Sequence, residues 1–131
     1  MTNENAGVGI VALDHIQMAM PAGAEDVARD FYGALLGLTE VPKPAPLQPR
    51  GGCWFVSQGV TLHLGVEADF RPARKAHPAF RVADLERSRA HFEAAGVATI
   101  PDDTVPSVRR FYVADPFGNR IEFLQDGDTF A

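Results

Sequence analysis

The sequence has little of what would mark a disulfide-stabilised, membrane-bound or nucleic-acid-binding protein. A single cysteine in 131 residues excludes an intrachain disulfide and fits a reducing cytoplasm. No hydrophobic run approaches the roughly 20 residues that span a bilayer, and the first residues lack the basic and apolar regions of a signal peptide. A net charge of −5 offers no basic surface to nucleic acid. We therefore expect a cytoplasmic protein with no membrane or nucleic-acid partner.

What the sequence does have is the composition of an ordinary folded domain, with 46% hydrophobic and 22% charged residues. The chain is long enough to bury one hydrophobic core. We predict a single domain over residues 10–126, preceded by a flexible leader at residues 1–9 and followed by a tail at residues 127–131.

The first half of this domain combines strand and helix patterns. Apolar residues recur at four-residue spacing in the helical stretch, and Gly37 supplies a helix stop. The predicted elements are an extended run within Ile10–Met20, a helix from Glu25 to Leu36, a proline-rich loop at residues 42–49, and strands at Trp54–Val56 and Val60–Val66.

The second half repeats the plan. Asp84 is a good N-cap for a helix that ends at Gly96. The predicted strands are His77–Val82, Phe111–Val113 and Arg120–Leu124, the last two joined by a turn at residues 115–119.

The two halves align with each other residue by residue. Leu13-Asp14-His15 aligns with Lys75-Ala76-His77, and the step from Gly59 to His63 matches the step from Gly118 to Glu122. A repeat of this length is typical of a βαβββ unit, suited to pseudo-twofold pairing. The sequence therefore predicts an α+β fold with two βαβββ modules, at about residues 10–67 and 76–126.

Strand alternation places four polar residues on one side of the predicted sheets. His63 and Glu122 alternate with apolar neighbours, and His15 and His77 do the same at the start of each repeat. If the sheets curl so that these faces look inward, the four side chains converge. Imidazole and carboxylate groups suit divalent metals such as zinc, iron, nickel or manganese.

A structural explanation for each residue stays open beside the metal hypothesis. A single histidine in a strand is more often a hydrogen-bonded residue than a ligand, whereas a carboxylate such as Glu122 inside an apolar run is costly to bury without a partner. Three of the four histidines occupy repeat-equivalent positions, which favours the metal hypothesis. His91 lies in the middle of a helix and is predicted to be a solvated surface residue.

Three segments of the sequence resemble a known superfamily. They are Leu13-Asp14-His15-Ile16, Phe31-Tyr32 with Leu36-Gly37-Leu38, and the stretch from Phe111 to Phe123 that contains Asp-Pro-Phe-Gly-Asn followed by Ile-Glu. Together they resemble the vicinal-oxygen-chelate superfamily, which includes glyoxalase I, extradiol dioxygenases, fosfomycin-resistance proteins and bleomycin-binding proteins. The resemblance extends from about Val11 to Gln125.

The resemblance implies a curved mixed sheet around a metal cleft, commonly in a homodimer. It assigns His15, His77 and Glu122 as metal ligands. Glyoxalase I has a glutamate where this chain has His63, and this departure counts against glyoxalase I activity itself. His63 is then either a fourth ligand or a residue that supports the ligands or acts as a base.

Three functions follow from the resemblance. The first is a glyoxalase-like lyase or isomerase, in which a divalent metal (Ni, Zn, Mn or Fe) chelates two adjacent substrate oxygens and Glu122 or His63 moves a proton. The alternative is a non-catalytic protein that binds a drug or metabolite, and the third is an extradiol-type dioxygenase.

Three further residues are candidates for substrate binding. Gln17 shares the face of His15, and Arg74 and Arg110 belong to basic clusters near His77 and the aromatic strand. Cationic side chains of this kind can hold a carboxylate or phosphate. That each arginine simply balances an acidic surface is an equally open interpretation.

Overall fold

In residues 7–131, which the computed structural model describes, the same order of strands and helix occurs twice. Residues 1–6 of the predicted leader lie outside the described residues. The strands are β1 (Ile16–Met20), β2 (Thr39–Val41), β3 (Cys53–Ser57), β4 (Val60–Val66), β5 (Ala79–Val82), β6 (Ile100–Pro101), β7 (Arg110–Ala114) and β8 (Arg120–Gln125). Helix α1 starts as an α-helical turn, Glu25–Ala28, and continues as a π-helical segment, Arg29–Leu35; helix α2 is Leu85–Ala94.

Each half of the chain forms a four-stranded sheet with the same strand order. The orders are β1-β4-β3-β2 and β5-β8-β7-β6. In both sheets the first strand runs parallel to the last, and the remaining pairs are antiparallel. The prediction of an α+β fold with two βαβββ modules is confirmed.

The helices pack on one face of each sheet and form the hydrophobic core there. Phe92 of α2 lies 5.1 Å from Phe123 and 6.4 Å from Phe31 of α1, measured between ring centroids. The predicted N-cap of α2 is present, because Asp84 accepts a hydrogen bond from the Arg87 backbone N–H. Within residues 7–131 no helix is both long enough and apolar enough to cross a membrane.

The first strand is shorter than the apolar run in the sequence. It begins at Ile16 rather than Ile10, and residues 10–15 lie outside the sheet. The register places Ile16 opposite Leu62, so residues 12 and 13 would lie opposite the Gln58–Gly59 turn that precedes β4, and earlier residues would lie beyond it. They have no backbone partner there, and the sequence pattern alone does not show this.

Two further differences concern short elements. The segment predicted as a proline-rich loop contains a 3₁₀ helix, Ala45–Arg50, which a proline near its first position favours. Strands β2 and β6 have three and two residues, too few for a two-residue alternation to be recognised in the sequence.

A buried polar network joins the two modules. Asn119, 1% exposed, donates to the Ala19 carbonyl of β1 and accepts from the Ala73 backbone N–H. It also donates to Asp115, which accepts a 2.6 Å hydrogen bond from the Tyr32 hydroxyl of α1. Burial, together with the nearby Asp115 carboxylate, raises the pKa of Tyr32 and keeps it a donor. These bonds fix how the two sheets meet.

Candidate functional site

His63 and Glu122 lie on the face of each sheet that is opposite to the helices (the inner face), as strand alternation predicts. Their apolar neighbours Leu62 and Ile121 are fully buried in the core. The two polar residues are themselves only 7% and 4% exposed. Buried polar groups of this kind need partners, and these partners define the site.

Glu122 pairs with His77 in the second module. The distance from His77 Nε2 to Glu122 Oε1 is 3.0 Å, and His77 Nδ1 lies 2.7 Å from the Lys75 carbonyl oxygen. A carbonyl oxygen only accepts, so Nδ1 carries a hydrogen, and this leaves Nε2 as the nitrogen that faces the carboxylate. A backbone carbonyl that fixes the tautomer in this way is usual for histidines that bind metals.

The other oxygen of Glu122 faces Arg110. Arg110 Nη1 lies 3.5 Å from Glu122 Oε2 and donates a 2.9 Å bond to the Tyr112 hydroxyl. Its Nη2 donates to Asp102 at 3.1 Å, and the side chain is only 13% exposed. Arg110, predicted to bind substrate, therefore contacts protein acceptors and anchors Glu122.

The first module holds its two histidines in an aromatic stack. The ring of His63 lies 3.7 Å from that of Trp54, with an interplanar angle of 2°, and 4.2 Å from that of His15, at 24°. His15 Nδ1 lies 2.8 Å from Asp14. Burial, and then the neighbouring His15, lowers the pKa of His63. No hydrogen bond to a His63 ring nitrogen is formed within residues 7–131.

The four predicted ligands thus form two pairs. In residues 7–131 no group of three or more His, Cys, Asp or Glu side chains is arranged to hold a metal ion. The His77–Glu122 pair would fit a divalent metal, because it presents an imidazole nitrogen and a carboxylate oxygen side by side. The His15 and His63 rings are nearly parallel, and lone pairs that lie in such planes do not meet at one ion, so one ring has to turn before both can bind.

The remaining predicted residues divide between cavity wall and surface. Gln17 lies beside His63 on the neighbouring strand and lines two cavities, one of about 520 Å³ with His77 and Arg71, and one of about 250 Å³ with Trp54. Arg74 is exposed in the segment before β5 and lines neither of these cavities.

Sequence patterns favour core positions for Trp54 and Tyr112, yet both face the site. Trp54 lies directly opposite His63, and Tyr112 lies directly opposite Glu122. The length of each hairpin turn could have predicted these pairings. A two-residue turn at Gln58–Gly59, for example, sets the register of β3 and β4 and therefore which of their residues lie opposite each other. Arg120, whose guanidinium carbon lies 3.7 Å from the Tyr112 ring centroid, was also missed.

The fold, two βαβββ modules with polar pairs on their inner faces, defines the class of glyoxalase-like proteins. The family model of the glyoxalase-like domain matches residues 17–124. A crystal structure of a glyoxalase family protein from Bacillus anthracis is 48% identical, with a TM-score of 0.86, and the match covers 88% of this chain and 95% of that one. This chain belongs to the glyoxalase-like family.

More distant structures share the fold. The fosfomycin resistance protein FosX from Listeria monocytogenes is 16% identical with a TM-score of 0.70, covering 88% of this chain and 93% of that one. Lactoylglutathione lyase from Agrobacterium tumefaciens is 22% identical with a TM-score of 0.65, covering 86% and 93%. No curated protein matches the chain.

Proposed function

We propose that the protein is a metal-dependent enzyme that moves a proton on a small substrate with two adjacent oxygen atoms, a glyoxalase-type lyase or isomerase reaction. The observation that carries the proposal is the His77–Glu122 pair, whose facing nitrogen and oxygen lie 3.0 Å apart. The Lys75 carbonyl fixes the His77 tautomer that suits a ligand. Nickel, zinc, manganese and iron all suit this donor set.

Each residue has a separate role in this proposal. A divalent metal, when bound, stabilises negative charge that develops on substrate oxygen. Glu122 is a ligand held in place through its second oxygen by Arg110. His63 is the general base, since its ring nitrogens have no hydrogen-bond partner among residues 7–131 and Trp54 fixes its plane. Gln17, next to His63, hydrogen-bonds the substrate.

A second copy of the chain supplies the missing ligand, His15, and the base, His63. Each chain carries one His77–Glu122 pair and one His15–His63 pair, and within residues 7–131 these do not form one metal-binding group. A symmetric homodimer brings the acidic pair of one chain against the histidine pair of its partner, because a twofold interface repeats each contact.

An exposed apolar segment next to His15 supports this homodimer. Large apolar side chains that face solvent are unfavourable when they cluster, and clusters of this kind mark interfaces. The segment consists of Val8, Ile10, Val11 and Leu13, which are 88%, 85%, 97% and 77% exposed. Their burial against a second chain would bring His15 to the interface.

The metal content of protein purified without chelator tests the site. We expect near-stoichiometric nickel, zinc, manganese or iron in the wild type and its loss in Glu122→Gln, which keeps the size of the side chain. Glu93→Gln, on the exposed face of α2, is the matched control and should keep its metal. Wild-type protein that binds none of these ions at neutral pH would overturn the proposal.

Mixing two inactive variants tests the homodimer. Refolding His15→Ala together with Glu122→Gln produces heterodimers in which one of the two sites has all three ligands, His15 from one chain and His77 and Glu122 from the other. We expect metal binding to return in the mixture and in neither variant alone. Ligands that met within one chain would give no recovery, because each chain would lack a ligand.

A non-catalytic binding protein is the second candidate. It is favoured by the lack of a three-residue ligand group among residues 7–131. Such a protein would bind its small molecule equally well with and without metal, whereas the enzyme would need the metal. No observation favours a dioxygenase over these two candidates.

A further inference from the structure

The cavities around Gln17 carry a charge opposite to that of the whole protein. The chain has a net charge of −5. Gln17 lines two cavities, one of which is nevertheless walled by Lys43 and Arg50 and the other by Arg71, with Glu67 as the one acidic residue that lines either. A cationic cavity in an acidic protein concentrates anions, because low-dielectric walls focus the field.

The three cations are not used by the protein to neutralise its own acids. None of them takes part in an ion pair among residues 7–131. Lys43 donates to the Gly51 carbonyl, and the guanidinium groups of Arg50 and Arg71 make no hydrogen bond within the described residues. Their donors are therefore available to a ligand.

Among residues 7–131, Gln17 is the one residue that lines both cavities. Its amide lies over Gly65, where an added Cβ atom would come within 2.4 Å of Gln17 Nε2. A glycine at this position makes room for the amide on the inner face. Gln17 also lies opposite His63 in the register of β1 and β4, so a ligand held at Gln17 borders the proposed base.

We propose that the substrate is an organic diacid: besides its pair of adjacent oxygens it carries a separate carboxylate, which Gln17, Arg50 and Arg71 bind. The guanidinium groups form charge-assisted hydrogen bonds with the carboxylate, and the Gln17 amide donates a further one. The inference rests on the proposed function for the oxygenated end of the substrate and adds the recognition of its other end.

Binding of paired 2-oxo acids to metal-loaded protein tests this subsite. Calorimetry would compare 2-oxo diacids of four, five and six carbons with monoacids of the same length that lack the terminal carboxylate. The three chain lengths give several distances between the 2-oxo acid end of the ligand and its terminal carboxylate. We expect at least one diacid to bind about tenfold more tightly than its monoacid, as charge-assisted bonds in a cleft provide.

The double variant Arg50→Gln/Arg71→Gln should abolish this preference and leave monoacid affinity unchanged. The matched control is Arg74→Gln/Arg87→Gln, which removes the same charge from outside both cavities and should keep the preference. Equal binding of all diacids and monoacids, or a preference that survives in the double variant, would overturn this inference alone. Metal-loaded protein that binds no 2-oxo acid at all would also overturn this inference, whereas protein that takes up no metal would overturn the proposed function.

Discussion

The two modules have polar residues at equivalent positions on their inner faces, but different interactions stabilise these residues in each module. His63 lies opposite Trp54 in the first module, and Glu122 lies opposite Tyr112 in the second. His63 is stacked between aromatic rings, whereas Glu122 is held by an ion pair and by hydrogen bonds. The same backbone position thus supports a neutral ring in one module and an acid in the other.

The cause of this difference lies in each module two residues before the aromatic residue, which is Trp54 in the first and Tyr112 in the second. In the second module this position is Arg110, which pairs with Glu122. In the first module it is Gly52, where φ is +83° and an added Cβ atom would lie 2.0 Å from the Leu64 carbonyl oxygen. No side chain fits there, so this position cannot supply a cation for an acid at His63. The backbone of β3 therefore favours an uncharged residue at His63.

The largest effect is expected when the first module is made to resemble the second. In His63→Glu the new carboxylate would be buried against Trp54 without an arginine, and an uncompensated buried charge costs about 3 to 5 kcal/mol. Urea unfolding of metal-free protein measures this loss. Ser57→Glu, at the exposed end of β3, is the control for the added charge. If both variants were equally stable, the absence of a partner cation would not explain the choice of residue.

A smaller effect is expected when the anchor of the second module is removed. Arg110→Gln leaves Glu122 with His77 alone and removes the donor to Asp102, and hydrogen bonds to charged groups contribute about 1.5 to 3 kcal/mol. Arg109→Gln is the control, because the Arg109 side chain is 68% exposed and water screens its ion pair with Asp128. The midpoints of urea unfolding, compared between the two variants where their m-values are equal, measure the loss of stability in each. Equal losses would mean that the buried anchor contributes no more than a surface pair.

Much of the fold could be predicted because the chain repeats one pattern. The match between the Gly59–His63 and Gly118–Glu122 steps located both final strands, and Asp84 located helix α2. The start of β1 could not be found in this way. Whether residues 10–13 join the sheet depends on where β4 begins, and a local apolar pattern contains no information about a partner strand.

The positions of the candidate residues in the two sheets were predictable from the sequence, but their grouping into pairs was not. Strand alternation assigned His63 and Glu122 to the inner faces, because their apolar neighbours face the core and successive side chains point to opposite faces of a sheet. The separation into two pairs depends on how the modules meet, which the buried contacts of Asn119 and Tyr32 determine. The anchoring role of Arg110 also depends on the register of β7 and β8, which sequence reasoning did not use.

The smallest effect is expected in the titration of His63. Burial is the largest cause of its lowered pKa, and the Trp54 ring covers one face of the imidazole. We expect Trp54→Ala to raise the pKa of His63 toward the ordinary value of about 6.5. The signal of the His63 ring Cε1–H group, followed by NMR against pH in metal-free protein, measures this shift.

The sign of the linked change in stability is fixed by the direction of the pKa shift. Because His63 binds protons less readily when folded, its contribution to stability is present above its unfolded pKa and falls as the pH drops through that value toward the folded pKa. In Trp54→Ala this pH dependence should weaken. His15→Gln removes the second cause, repulsion between the two rings, and should raise the pKa of His63 less than Trp54→Ala does. If His15→Gln had the larger effect, charge rather than burial would distinguish the histidine of the first module from the acid of the second.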